Sequence, residues 1–465
     1  MTKPEGGSWT ASVLGWGLLF LALPAEAATY YVSPGESLSA AIARLQPGDT
    51  LYLRGGVYGQ LVYGTTIPSG TSWDNPVTIA SVPGETAIIR PPWSAEAFYI
   101  WGTSYVILDR LVFDGSNQTD DAFLAEIGCD FDRAKGEWLP ETCAHHIRIQ
   151  NSEFKHAGGT ALGTSKGSEG NTNQGNNEVI NNAFHHSNLF TACSEAEALY
   201  IGSSRDLFRG NVFYDNDGAA INLCSNGGTF TINDSIIEQN VFHDNGGRCG
   251  ATAVPVQNGH RILIRNNLFY NEGVGPAISI FHGSSETSIY HNTFYQTGGY
   301  GYGTLGGAIW IGAGISGTVI KNNIFYQNRI AAVGDEGTGT VLANNFVVGE
   351  DVNPLFANLS AHDFHLQATS PAIDAGVTLA EVPTDFEGTP RPQGAGYDIG
   401  AYEYRASAGL RGDLDGNGKR DLVDVRLMIY MLLGQQPKTP EAELTGEGAV
   451  TLADVQALIR LLVGL

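Results

Sequence analysis

Basic residues are scarce in this chain. Only 25 of its 465 residues are Lys or Arg, against 48 Asp plus Glu, and the formal net charge is −23. A face that neutralises many phosphates is thereby excluded, which argues against nucleic acid or an anionic membrane as partner and toward divalent cations. Charge of either sign is sparse at 16 %, while Gly numbers 60, a composition foreign to coiled coils and helical bundles. Disorder is excluded from the other side, because 42 % of the residues are hydrophobic and can bury a large core. Long apolar runs are missing beyond the first 27 residues. The run from Val13 to Leu23 follows Lys3 and precedes Pro24 and the small-residue site Ala25-Glu26-Ala27. It is too short to span a bilayer and reads as a signal peptide over residues 1–27, so the expected location is secreted or at the cell surface. Cysteines are few, five in all. Export permits disulfides: Cys129 and Cys143 bracket one insertion and are the expected pair, whereas Cys193, Cys224 and Cys249 leave one thiol over.

What the chain has in abundance is repetition. IRIQNSEFKH, NEVINNAFHH, LFRGNVFYDN, IIEQNVFHDN, ILIRNNLFYN, SIYHNTFYQT and TVIKNNIFYQ follow one another from residue 147, and VLANNFVV at 341–348 continues the series. Phe154, Phe184, Phe213, Phe242, Phe269, Phe294 and Phe325 are spaced by 30, 29, 29, 27, 25 and 31 residues. A second strand follows most of them, as in EALYIGS, GAAINLC, PAISIFH and GAIWIGA. Such a period, without helical periodicity inside it, predicts an all-β solenoid, a parallel β-helix whose coils pair only with their neighbours. Leu199 and Ile201, Ile221 and Leu223, Val254 and Val256, Ile278 and Ile280, and Ile309 and Ile311 are expected to stack inward, beside a column of Phe rings. Asn151, Asn181, Asn211, Asn240, Asn266, Asn292 and Asn322 fall at one bend, where an amide tolerates left-handed backbone and pairs with the next coil; they are read as structural. His185, His186, His243 and His291 are expected to face solvent.

At the start, TYYVSPGESLSAAIARLQPGDTLYLRGGVYGQLV joins a short amphipathic stretch, Ser37 to Leu45, to a turn and a strand. This resembles the opening of secreted right-handed β-helix proteins of the polysaccharide lyase and related carbohydrate-active type, in which such a helix caps the open end. NPLFANLSAHDFHLQATSPAIDAG, TDFEGTPRP and YDIGAYEY resemble the last coils and closing segment of exported β-helix proteins. The resemblance implies a β-helix over 28–349, final coils and a closing segment over 350–404, and a linker at 405–409. The extended signatures of the pectin, alginate and polygalacturonase families are not found.

The segment 410–465 carries the sharpest motif. Asp413, Asp415, Asn417, Asp421 and Asp424 stand at loop positions 1, 3, 5, 9 and 12, with the Lys419 carbonyl at 7 and Gly418 at the sharp turn. Hard oxygen ligands at this spacing wrap one Ca²⁺. A second loop begins at Glu443, but Thr445, Ala449 and Thr451 occupy ligand slots. The expected helix after the first loop packs Val425, Ile429 and Leu432 against Leu458 and Leu462. Two loop-helix repeats resemble a type I dockerin, which implies a small all-α domain that docks on a cohesin; the paired contact positions, Leu422-Val423 and Leu452-Ala453, are apolar here.

Chemistry is expected on the second-strand sheet. Tyr200, Asn222, Gln257, Ser279, Phe281 and Trp310 point outward along the axis, a surface on which sugar rings stack. The neighbouring loops hold Lys166, Glu195, Glu197, Asp215, Asp217, Arg248, Glu272 and His282. Two carboxylates across a glycosidic bond serve a hydrolase; a Lys, Arg or His base serves a lyase. Glu197 and Asp217 are the best carboxylate pair, since they precede strands on consecutive coils about 4.8 Å apart. The function implied is processing of a polysaccharide by lyase or hydrolase chemistry, the alternative being a non-catalytic glycan-binding or structural β-helix.

Overall fold

The computed structural model describes residues 27–132, 134, 137–164, 175–187, 197–224, 231–247, 252–273, 275–300, 305–348, 353–405, 412–415, 419–436, 438, 442, 444–445 and 449–462. The expected signal peptide up to residue 26, together with Lys166, Cys193, Glu195, Arg248, Cys249 and Asn417, lies outside them. Three parallel sheets run along the axis. Sheet 1 has 12 strands, from Thr29–Val32 to Val341–Ala343; sheet 2 has 11, from Gly56–Tyr58 to Phe346–Val348; sheet 3 has 10, from Val62–Tyr63 to Val333–Asp335. One coil visits each sheet in turn, as in Glu178–Ile180, Ala183–His185 and Glu197–Ile201. The repeat therefore becomes a parallel β-helix.

Three-residue strands with one inward side chain suffice because every coil repeats the last. Phe154, Phe184, Phe213, Phe242, Phe269, Phe294 and Phe325 are all buried and stack with centroids 4.6–5.1 Å apart. The column begins one coil earlier than expected, at Phe113. It ends differently too: Val347, not Phe346, pairs with Phe325, so Phe346 turns outward. The expected inward aliphatics are buried.

Between sheets 1 and 2 the chain turns in two residues. The first takes a left-handed conformation (Asn151, Asn181, Gly210, Gln239, Asn266, His291 and Asn322, φ 51–67°). The second points inward: Asn182, Asn211, Asn240, Asn267, Asn292, Asn323 and Asn345 form a ladder in which each Oδ1 accepts both the backbone N–H and the Nδ2 of the Asn one coil earlier, at 2.8–3.1 Å. The expected set thus mixes two roles. Asn211, Asn240 and Asn292 are ladder rungs, whereas Asn151, Asn181, Asn266 and Asn322 supply the left-handed step. Asn240→Ala strips partners from the buried Asn211 N–H and, through Nδ2, from the Phe208 carbonyl. At about 1–3 kcal/mol per unsatisfied buried group, it is expected to cost about 3 kcal/mol or more. Asn181→Gly, at an exposed left-handed position, is expected to stay within about 0.5 kcal/mol. Urea denaturation of the two variants measures this, and equal losses would rule out the ladder as the stabilising device.

The amino-terminal end is closed by helix α1 (Leu38–Ile42), whose N-cap Ser37 accepts from Ala40 N–H and whose Leu38, Ala41 and Ile42 are buried. The segment 353–404 departs from the expectation of further coils. Its two strands, Phe356–Asn358 and Asp363–Leu366, pair antiparallel, and it lies as a strap on the flank of the coils: Phe356, Phe364, Leu366, Ile399 and Tyr402 cluster with Leu268, Tyr295, Ile324 and Tyr326. The left-handed bend residues hold it, since Gln239, Asn266 and Asn322 side-chain amides donate to the carbonyls of Asp385, Thr384 and Val377 at 2.8–2.9 Å. His291, expected to face solvent, is buried under this strap and accepts from Asn322 Nδ2 at 2.8 Å; burial pushes its pKa well down. His185 is buried as well, 3.0 Å from Glu153. Beyond the strap, α2 (Leu422–Leu432) and α3 (Leu452–Leu462) form a helical pair. Met428 and Met431, with Val455 and Leu458, make its core, and the expected contact Ile429 is exposed instead.

Candidate functional site

Sheet 3 carries one outward column along the axis. Tyr99, Glu126, Gly163, Tyr200 and Asn222 are in register on consecutive coils, and further on Ser279, Trp310 and Gly334 continue it. Alternation within each short strand puts these side chains outside while Leu199, Ile201, Ile221 and Leu223 go in.

Around Tyr200 the groups connect across coils. Asn222 Nδ2 donates to Glu197 Oε1 at 2.7 Å, Gln257 Nε2 donates to Asn222 Oδ1 at 3.1 Å, and Gln257 Oε1 lies 3.2 Å from His282 Nδ1. Four of the expected residues thus form one hydrogen-bonded row. Glu197 and Asn222 are buried, while His282 is exposed. Tyr200 is held protonated: burial raises its pKa, and Cys224, Glu197 and Glu126 add to the shift. The Phe281 ring lies tilted against those of His282 and Trp310, with centroids at 4.6 and 5.9 Å. Both Phe281 and Trp310 are buried, so neither presents the open stacking face the sequence suggested.

The expected pair is placed on consecutive coils. Glu197 is in register with Ala219, two residues beyond Asp217, and the Asp217 N–H donates to Ser187 O. Asp215 is exposed at the bend leaving sheet 2, its carboxylate 4.0 Å from His186. Glu272 is structural: it ends a second buried ladder, Asn216 to Asn245 to Glu272, and burial pushes it up to about 8.

Two further acids were missed. Glu96 and Glu126 stand on adjacent coils upstream of the region where the repeat is plainest. Burial, reinforced by the charge of Glu126, pushes Glu96 up to about 7. The pattern AEI at 125–127 repeats the inward-outward-inward alternation of LYI at 199–201, which was the available signal. Phe123 leans over the groove floor because Gly163 lacks a Cβ, which would lie 2.6 Å from its ring. The loop carrying Phe123 is fastened by buried Gln118, whose Nε2 donates to the carbonyls of Ala95 and Phe123 and whose Oε1 accepts from Gly158 N–H. The hairpin Asp130–Asp132/Glu137–Leu139 is tied by the expected Cys129–Cys143 disulfide, and the Cys129 carbonyl accepts from Tyr99 Oη at 2.5 Å, which fixes the hairpin beside the column. Cys224 is a free thiol.

A second site lies in the helical pair. Carboxylate oxygens of Asp413, Asp415 and Asp424 fall within 4.8 Å of one another, the sole such cluster of three or more among the described residues. Asp424 is fully buried; it accepts from the N–H groups of Leu414, Asp415 and Asp421, and burial and the nearby Asp413 push its pKa up. Asp421 caps α2 through Val423 N–H. Lys419 lies in the same loop. This all-oxygen donor set fits a hard divalent cation such as Ca²⁺.

A family model described as a right handed beta helix region matches residues 96–294. No curated protein matches the chain. The solved structure of a pectate lyase, Pel9A, is 18 % identical with a TM-score of 0.57, covering 81 % of this chain and 96 % of that one. An alginate lyase from Paenibacillus sp. str. FPU-7 is 16 % identical with a TM-score of 0.50, covering 67 % of this chain and 99 % of that one. What these likenesses share with the chain is the fold, a right-handed parallel β-helix.

Proposed function

We propose that this is an exported polysaccharide-processing enzyme whose substrate lies along the outward face of sheet 3, and that its helical pair is a calcium-loaded dockerin which tethers it to a cohesin on a scaffold or cell surface. The observation that carries the enzymatic reading is Glu126 in register with Tyr99 and, through Gly163, with Tyr200 on that face, with Glu96 near it and pushed up to about 7 and Glu197 joined to the same column through Asn222. A carboxylic acid beside a carboxylate is what glycosidic cleavage uses: Glu96 protonates the leaving oxygen and Glu126, one coil away, serves as base or nucleophile, while Glu197, three coils from Glu96, holds the substrate further along the face. The two solved structures that share the fold act, by their names, on pectate and alginate, which supports a polysaccharide as substrate. β-Elimination is the second reading, favoured by His282 at the exposed end of the row from Glu197. No membrane-spanning helix is found among the described residues, and secretion remains part of this proposal.

The test is a panel of neutral and acidic polysaccharides assayed in parallel for new reducing ends and for unsaturated product at 235 nm. Reducing ends without 235 nm absorbance are expected. Glu126→Gln is expected to lower turnover by 10²-fold or more, the scale of general acid–base assistance, and Glu197→Gln to raise KM more than it lowers kcat. Activity should fall as pH rises through about 7, because Glu96 must be protonated to donate. Absorbance at 235 nm would replace hydrolysis by elimination, and glycan binding without turnover would leave a binding module.

A further inference from the structure

The two ends of the solenoid are finished differently. At the amino-terminal end α1 covers the first coil, and Leu38, Ile42 and Leu45 are buried there with Val32, Leu51 and Leu53. At the other end the inward columns run out into solvent. Leu342 is in register with Ile320 and Val347 with Phe325; the earlier pair is buried, yet Leu342 is 53 % and Val347 63 % exposed. Val341 and Ile330 add to the same open end, and a depression of about 370 Å³ lined by Phe325, Ala332, Val333, Leu342 and Val347 sits between them. Val333–Asp335, Val341–Ala343 and Phe346–Val348 are the terminal strands of sheets 3, 1 and 2. The strap packs on the flank, against Leu268, Tyr295, Ile324 and Tyr326.

We propose that this carboxy-terminal coil docks end to end on the same coil of a second copy of the chain, giving a closed two-fold dimer. Three observations select that occupant. The open end continues the coil-on-coil interface that builds the whole solenoid, with inward apolar columns that want a further layer and edge strands that offer backbone pairing. Residues 330–348 carry only two charges, Asp335 and Glu336, in a chain of net charge −23, so few like charges oppose each other when two copies meet there. Because α1 closes the opposite end, stacking cannot proceed head to tail into a fibre, and the remaining match for an open end is another open end. Such a contact is isologous and closes at two.

Sedimentation of the mature full chain with calcium present, across a concentration series at physiological salt, is expected to show reversible passage from monomer to dimer. Leu342→Lys with Val347→Lys is expected to abolish the dimer while circular dichroism and the melting temperature stay those of the parent. Leu422→Lys with Leu452→Lys, exposed on the helical pair, is expected to leave it intact. Hydrogen exchange should slow at 333–335, 341–343 and 346–348 in the dimer relative to the monomer. A chain that is monomeric at every concentration overturns the proposal. So does a dimer that survives the Leu342/Val347 change, or one lost with the Leu422/Leu452 change.

Discussion

Arg391→Met is expected to cost about 3–5 kcal/mol, the scale for removing one partner of a buried ion pair, and to release the strap from the coils. Arg391 Nη1 donates to Glu403 Oε2 at 2.6 Å with both side chains 0 % exposed. Its Nη2 donates to the carbonyls of Gly400 and Ala401 and lies 3.3 Å from Asn266 Oδ1 on the bend row. One guanidinium therefore ties the strap's return leg to itself and to a coil. Without it Glu403 stays buried beside Asp385 and Asp398, both also buried, with no cation among them. The coils below are closed by their own ladder, so the first consequence is local. Limited proteolysis should cut within 374–404 in the variant and not in the parent, and denaturant unfolding should register the stability loss. Arg391→Met combined with Glu403→Met should recover part of it, because a matched apolar pair leaves no lone charge. A single variant within 1 kcal/mol of the parent, with an uncut strap, would show that the apolar contacts of Tyr402 and Phe364 hold the segment alone.

The second large effect concerns calcium. Titration of the full chain is expected to find one strong site in the helical pair, lost in Asp413→Ala, with helicity that drops in chelator. The first loop gathers Asp413, Asp415 and Asp424 with a fully buried carboxylate at their centre, an arrangement that charge repulsion opens unless a cation is present. The second loop surrounds its buried carboxylate with donors of its own. Asp454 accepts from the N–H groups of Leu444, Thr445 and Thr451 and from the hydroxyls of Thr445 and Thr451, at 2.6–3.2 Å. Burial raises its pKa, but those donors outweigh burial and bring it to about 2. Thr445→Val with Thr451→Val should therefore unsettle α3 even in saturating calcium, whereas chelator acts through the first loop. Two equal sites, or full helicity in chelator, would contradict this division.

Much of this could be read from the chain as a string. The 25–31-residue return of Phe demanded stacked coils, because a short strand with one inward ring is stable only when the next coil supplies another. The cluster of Asp413, Asp415 and Asp424 was legible for a related reason: its acids come from one contiguous segment, so spacing along the chain is spacing in space. Where the reading slipped, the signal was one residue wide. Asn181 and Asn182 are the same letter, yet only the backbone's left-handed step decides which of them enters the ladder, and the same one-residue phase puts Val347 rather than Phe346 in register with Phe325.

Tertiary structure alone decided the rest. That residues 353–404 strap the flank follows from the bend amides of Gln239, Asn266 and Asn322 meeting carbonyls more than 50 residues away, a pairing no local pattern encodes. That Phe281 and Trp310 are covered, and that Glu96 and Glu126 are neighbours, follows from coil stacking, which puts residues 30 apart side by side. The repeat fixes a period and a buried face by local alternation; which outward groups share a groove, and which end of the stack is left open, depends on where the coils start, how their turns swell, and where the chain goes when it leaves them.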